Sequence, residues 1–237
     1  MVVPGSREKF PEAYRDSSRL AYYGSLCNTV EINSTFRKIP RTSTYDKWCT
    51  EVPADFQFTL KLLKDFTHEK NLLVQTRNLG TFINAADHVG KKGCLLIQFP
   101  ASIISDYREQ VDQIIGTVQE LDVSHSWRKA VEFRSETWYT SETYRMLQQY
   151  NSCMVLQDMP KSNNLSVQQR FPFYYYRYHG PMGDYRGSYT ETFLQEQAKR
   201  MAFLLTAGSD VYAYFNNTMG DAYENAMSLK RLLVKEV

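Results

Sequence analysis

Polar side chains stand at the ends of seven short apolar runs in this chain. Residues two positions apart in a strand point to the same face, so paired polar residues at a strand end share one face. Carboxylates and histidine transfer protons, whereas arginine and lysine bind anions. This combination predicts acid-base chemistry on an anionic ligand. The residues are Glu31 with Asn33, Lys61, Gln98, Glu132 with Arg134, Asp158, Arg177 with His179, and Asn216 with Asn217.

The apolar runs are short and rich in Val, Ile, Phe and Tyr, as is typical of strands. Because helical spacing alternates with them, the pattern predicts an α/β fold with a parallel sheet, a TIM-type (β/α) barrel that forms one domain over residues 1–237. The predicted strands are 29–33, 56–61, 94–99, 130–134, 154–158, 173–179 and 211–216. The predicted helices include 106–121, 141–150, 190–207 and 221–234.

Strand ends are where α/β folds build their sites, so the polar residues are expected to meet at the carboxyl-end mouth of the barrel. We expect Lys61, Arg134 and Arg177 to clamp the anion, since guanidinium forks match phosphate and carboxylate geometry. We expect Glu31 or Glu132 to be the general base and His179 the general acid. The other substrate-binding candidates are Asp158 and the amides Asn33, Gln98, Asn216 and Asn217.

Two other uses of these charges compete with this hypothesis. The acids and bases could form a stabilising network of buried ion pairs. Four residues, Glu31, Glu132, Asp158 and His179, are also acceptable metal ligands, but three basic side chains in the same mouth would repel a cation. No phosphate-binding glycine motif or nucleophile elbow occurs either. We therefore expect no metal and no other cofactor.

Two segments between the predicted elements are irregular. Residues 160–172 are rich in Ser, Asn and Gln and are expected to replace a crossover helix. Residues 180–187 contain three glycines, which indicates a turn beside a ligand or a lid. Aromatic residues near these strand ends are candidates for stacking on a base or sugar, although packing is their commoner use. They are Trp138, Tyr139, Tyr185 and Tyr189.

The composition is that of an ordinary soluble globular protein, with 43% hydrophobic and 23% charged residues and a formal net charge of +2. Lys and Arg are interspersed with Asp and Glu, so any anion recognition is expected to be local. The four cysteines lack C-x-x-C spacing, and no run is long and apolar enough to cross a bilayer. We expect a cytoplasmic protein without membrane insertion and without an obligate protein partner.

Several motifs in order along the chain resemble domain of unknown function 72, the YecE-like family. They are Thr29-Val30-Glu31-Ile32-Asn33-Ser34-Thr35-Phe36, Gln98-Phe99-Pro100, Val131-Glu132-Phe133-Arg134 with Trp138, Tyr176-Arg177-Tyr178-His179-Gly180, and Tyr214-Phe215-Asn216-Asn217-Thr218 with Asn225-Ala226. The resemblance implies a TIM-type barrel and no established reaction. The family's first strand and glycine-rich turn have no counterpart beyond Met1-Val2-Val3-Pro4-Gly5, so we expect a first strand that is very short or missing.

The function expected from the sequence is that of an enzyme, a hydrolase or an isomerase, acting on a phosphate- or carboxylate-bearing molecule. The alternative is a protein that binds a nucleic-acid fragment or metabolite at the same mouth without chemistry. The expected partner in either case is a small anionic molecule or a nucleic-acid fragment. Barrel endonucleases offer a fold-level analogy for nucleic acid, but they carry several metal-ligating histidines that this mouth lacks.

Overall fold

The computed structural model describes residue 3, residues 5–69, residue 72 and residues 76–236 of the chain. In these residues strands and helices alternate, and most strands are short. The strands are β1 Thr29–Ile32, β2 Gln57–Lys61, β3 Lys92–Phe99, β4 Arg128–Phe133, β5 Cys153–Met154, β6 Leu156–Gln157, β7 Tyr174–Tyr178 and β8 Val211–Phe215. The α-helices are α1 Arg19–Leu26, α2 Thr42–Thr50, α3 Thr76–Ala86, α4 Arg108–Leu121, α5 Ser141–Gln149, α6 Glu191–Thr206 and α7 Ala222–Glu236.

The chain divides into two compact units, Val3–Glu132 and the part that begins at Phe133. In the first unit the strand order is β1-β2-β3-β4, and β1 with β2 and β2 with β3 pair in parallel. In the second unit the order is β6-β7-β8, again with parallel pairs. The predicted α/β class with parallel strands is confirmed. Closure into one barrel and the single domain remain predictions.

All seven predicted strand segments contain strands, although their observed bounds differ from the predicted ones by one or two residues. The segment predicted at 154–158 is two strands of two residues, β5 and β6, separated by Val155. Before β1, residue 3 and residues 5–28 form 3-10 turns and α1 but no strand, because this stretch is hydrogen-bonded locally. The prediction of a short or missing first strand also involves residues 1, 2 and 4, which lie outside the described residues.

Strand β7 is buried along its whole length, and its two faces have different partners. Tyr178 points toward helix α6, where its hydroxyl donates to Gln197 Oε1 and its ring contacts Phe193. Alternation along the strand therefore directs Arg177 to the face away from α6. The side chain of Arg177 is buried there, beside the strand residue Tyr214 of β8, with which it is in register.

Side chains fix the ends of the elements that carry the polar residues. The Thr190 hydroxyl accepts from Phe193 N–H at the start of α6, which is the capping that the first turn of a helix requires. The irregular segment 160–172 contains no helix or strand, as predicted. It is attached by Asn164, which accepts from Gln157 N–H at 2.7 Å and donates to Val155 O at 2.9 Å. None of the described helices has the length and apolar character needed to cross a membrane.

Candidate functional site

Three predicted site residues form one hydrogen-bonded chain in the second unit. His179 directly follows β7, and its side chain is fully buried. The imidazole Nδ1 lies 3.2 Å from Asp158 Oδ1, and the backbone N–H of His179 donates to the same oxygen at 2.7 Å. On the other side of the ring, Nε2 lies 3.0 Å from Arg134 Nη2. The structure therefore brings Asp158, His179 and Arg134 together.

The partners of His179 determine where its proton lies. A guanidinium has only N–H donors, so Arg134 donates and Nε2 accepts with its lone pair. The remaining ring proton is then on Nδ1, which donates to the Asp158 carboxylate. His179 is thus neutral in this arrangement, because a second proton on Nε2 would face the guanidinium.

Tyr189 completes this group of side chains, which we call the His179 centre: Asp158, His179, Arg134 and Tyr189. The Tyr189 hydroxyl donates a hydrogen bond to Asp158 Oδ2 and accepts from Gly180 N–H at 2.6 Å. Burial raises the pKa of Tyr189, and the hydrogen bond to Asp158 raises it further, so the hydroxyl stays protonated. The carboxylate is therefore held through both oxygens.

The two amides at the end of β8 have different surroundings. Asn217 is buried, and its Nδ2 donates at 2.9 Å to Gly187 O and at 2.9 Å to Asn225 Oδ1. Its principal contacts hold the backbone of the 180–187 loop. Asn216 Nδ2 and Asn217 Oδ1 are buried atoms for which the described part of the protein offers no hydrogen-bond partner. The predicted role of both amides in orienting a ligand remains a prediction.

The 180–187 loop is joined to residues 216–221 by several hydrogen bonds. Tyr185 O accepts from Met219 N–H at 3.0 Å, and just after the loop Asn225, from α7, accepts from Tyr189 N–H and donates to Ser188 Oγ at 2.9 Å. Gly187 O accepts from Asp221 N–H at 3.2 Å. Gly180 has a φ of 99°, and a side chain there would overlap the backbone of Arg186. The glycine at this position is therefore required by the turn itself.

The first unit contains the other predicted site residues at its strand ends. Glu31, in β1, accepts from Asn33 Nδ2 at 3.0 Å, although Asn33 lies beyond the strand, in a 3-10 turn, and not within the predicted strand 29–33. Gln98 and Glu132, near the ends of β3 and β4, are both buried. A buried carboxylate and a buried amide need polar partners, and such groups are common at functional sites.

Lys61, at the end of β2, lies close to two aromatic residues. Its Nζ is 4.2 Å from the centre of the Phe36 ring, and the His68 ring contacts Phe36 edge-on at a centroid distance of 4.9 Å. Partial burial lowers the pKa of His68, and the charge of Lys61 lowers it further, while Glu132 acts in the opposite direction. The His68 imidazole beside Lys61 is therefore favoured in its neutral form.

Some site residues could not be found from their own sequence context. Tyr189 was a candidate for stacking, but the structure gives its hydroxyl to Asp158, 31 residues away along the chain. Phe36 adjoins Lys61 only through the fold, whereas the position of His68 after the second predicted strand already indicated that it could reach the strand ends. A tyrosine that follows a strand end and precedes a helix cap carries no local signal of such a contact. Among the described residues, no group of three His, Cys, Asp or Glu side chains is placed to hold a metal ion.

Parallel strands alternate with helices in this protein, and polar residues lie at the strand ends. These features define an α/β protein, the class that includes TIM-type barrels. The sequence model of the family described as "Protein of unknown function DUF72" matches residues 4–237. The chain therefore belongs to the DUF72 family, as its motifs indicated.

Solved structures of the same family share the fold. A crystal structure of a DUF72 family protein from Enterococcus faecalis V583 is 18% identical, with a TM-score of 0.77 over 92% of this chain and 88% of that chain. A second structure of that protein has 20% identity, a TM-score of 0.73, and covers 92% and 94%. A DUF72 family protein from Thermotoga maritima MSB8 has 23% identity, a TM-score of 0.65, and covers 91% and 88%. The comparison with curated proteins found no match.

Proposed function

We propose that this protein is an enzyme that acts on a small anionic molecule, with Arg134 binding the phosphate or carboxylate group. The supporting observation is the chain of hydrogen bonds from Asp158 through His179 to Arg134. The bond to His179 uses one of the five N–H donors of the guanidinium and fixes its orientation. A pre-oriented guanidinium loses less freedom on binding an anion, which favours affinity.

The same geometry supports proton transfer by His179. The neutral ring carries its lone pair on Nε2, where Arg134 donates, so His179 acts as a general base once the guanidinium turns from Nε2 to the ligand's anionic group. After it accepts a proton, the imidazolium is stabilised by the Asp158 carboxylate and acts as the general acid predicted from the sequence. Hydrolysis and isomerisation both use such transfers. The catalytic roles predicted for Glu31 and Glu132, and the anion-binding roles predicted for Lys61 and Arg177, remain predictions.

Binding of simple anions tests the proposal. We expect calorimetry to detect binding of methylphosphonate or acetate, and Arg134→Gln to weaken it at least tenfold, since a hydrogen bond to a charged group contributes roughly 1.5–3 kcal/mol. Arg145→Gln is the matched control. It removes the same charge as Arg134→Gln, but from the exposed surface of α5. Equal affinity of the Arg134→Gln and Arg145→Gln proteins would contradict the proposal.

Catalysis is tested separately with a panel of phosphate esters and hydroxy acids followed by NMR. We expect His179→Gln to abolish turnover while anion binding persists, because glutamine keeps a polar contact to Arg134 but transfers no proton. Tight anion binding by the unaltered protein without turnover of any compound would favour the non-catalytic binding protein instead.

A further inference from the structure

Tyr185 has an unusual backbone conformation beside the His179 centre. Its φ is 66°, in the left-handed region that bulky residues rarely adopt. Two hydrogen bonds hold it there: Tyr185 N–H donates to His179 O at 2.7 Å, and Tyr185 O accepts from Met219 N–H at 3.0 Å. Such conformations are energetically unfavourable and persist where the surroundings impose them, which happens often at ligand sites.

The strained backbone places the Tyr185 ring against the ring of His179. The two rings meet edge to face, with a centroid distance of 5.6 Å and an interplanar angle of 85°. His179 is fully buried, whereas Tyr185 is 39% exposed. Because the same imidazole binds Arg134, an exposed aromatic surface and the guanidinium are both in contact with one ring.

Two methionines from the adjoining backbone add apolar surface. Met182, in the 180–187 loop, is 75% exposed, and Met219, whose N–H bonds to Tyr185, is 60% exposed. Eight large hydrophobic side chains are exposed among the described residues, and Tyr185, Met182 and Met219 are three of them. Exposed apolar surface is therefore concentrated in these two short, hydrogen-bonded loops. Flexible thioethers adapt to a flat ring and favour contact with it.

We propose that Tyr185, Met182 and Met219 form an apolar subsite that binds the aromatic ring of the anionic ligand. The inference rests on the proposed function, in which Arg134 binds the ligand's anionic group. The substrate class is then an aromatic ring, such as an aryl group or a base, that carries a phosphate or carboxylate. An exposed tyrosine stacks on such a ring, while the adjoining guanidinium neutralises its charge.

Matched pairs of ligands separate the ring from the charge. Phenylphosphonate and methylphosphonate have the same anionic group, and benzoate and acetate form the equivalent carboxylate pair. We expect calorimetry to show that, in at least one of these pairs, the unaltered protein binds the aromatic member at least tenfold more tightly than the small member. Stacking contributes about 1–3 kcal/mol by alanine substitution, which corresponds to this preference.

Variants at Tyr185 identify the origin of the preference. We expect Tyr185→Ala to lose the preference for the aromatic member while its affinity for the small member stays unchanged, and Tyr185→Phe to keep the preference. Circular dichroism and thermal unfolding verify that both variants fold. A purely structural role would lower the affinity for both members equally and would overturn the subsite.

The failures of the two proposals are distinguishable. Equal binding of both members by the unaltered protein would overturn the aromatic subsite and leave anion binding by Arg134 standing. Binding of both members that is insensitive to Arg134→Gln would overturn the proposed function, and the subsite with it. Binding of neither pair would overturn both.

Discussion

The imidazole of His179 lies between a carboxylate and a guanidinium, and each of its nitrogens has a defined hydrogen-bonding role. Asp158 accepts from Nδ1, and Arg134 donates to Nε2. A buried ring with both nitrogens engaged is restricted to one tautomer, and its neighbours are oriented by it. The consequence is that substitution at any member of the His179 centre disturbs the others, so their effects are not additive.

Tyr189 provides a test of this dependence at the residue scale. We expect Tyr189→Phe to lower the free energy of unfolding by about 1–3 kcal/mol, because the change leaves Asp158 Oδ2 without its donor and Gly180 N–H without its acceptor. Urea unfolding followed by circular dichroism measures the loss. Tyr185→Phe is the control, since no hydrogen bond of its hydroxyl contributes to the centre, and we expect a change within about 0.5 kcal/mol. Equal stability of the two variants would contradict the role of the Tyr189 hydroxyl.

Individual residues differ in how far their roles follow from sequence. The polar types and spacing of Arg177 and His179 place them on one strand end, and strand alternation predicts their shared face. The contact between Arg134 and His179 joins residues 45 positions apart, and its geometry depends on side-chain torsions that no pattern specifies. The contacts of the Tyr189 hydroxyl with Asp158 and of the Tyr185 ring with His179 also depend on side-chain packing that no sequence pattern specifies.

At the scale of elements, β7 and the loop after it position the side chains of the His179 centre and of Tyr185. The run of aromatic residues predicted a strand at 173–179, and β7 lies within it with all five of its residues buried. Sequence did not predict the break at Val155 between β5 and β6, where the Asn164 side chain donates to Val155 O and accepts from Gln157 N–H. These contacts depend on where the irregular segment lies, which strand periodicity does not specify.

The two loops beside His179 are packed at a glycine, which gives a test at the scale of elements. A side chain at Gly220 would overlap the backbone of Gly187, so we expect Gly220→Ala to separate the 180–187 loop from residues 216–221. Overpacking of this kind costs about 1–3 kcal/mol. Hydrogen exchange is the direct measurement: the amide of Asp221, which donates to Gly187 O, should exchange faster.

The control for this change is Gly90→Ala, where no atom lies within 4 Å of the added methyl group. We expect it to leave both stability and the exchange of Asp221 unchanged. Slow exchange of the Asp221 amide in Gly220→Ala would show that the loops tolerate the side chain, contrary to the packing described.

At the scale of the whole molecule, the salt dependence of binding distinguishes an enzyme for a small anion from a nucleic-acid-binding protein, the two functions that the sequence left open. The chain has 28 Lys and Arg against 26 Asp and Glu, a formal net charge of +2. A protein that binds nucleic acid along its backbone neutralises many phosphates, and its affinity falls steeply with salt. Ligand recognition by one guanidinium neutralises one anionic group, so its dependence on salt is shallow.

We therefore expect a single-stranded 20-nucleotide oligonucleotide to bind with a slope of log affinity against log salt shallower than about −2, since each neutralised phosphate contributes about −0.7. A mononucleotide should show a similar slope, because both ligands would offer one phosphate to the same site. Fluorescence anisotropy between 50 and 200 mM NaCl, a range over which extended phosphate contacts lose about 10³–10⁵ in affinity, measures both slopes. A slope near −5 for the oligonucleotide, with a shallow one for the mononucleotide, would establish extended backbone contacts and favour the nucleic-acid-binding alternative.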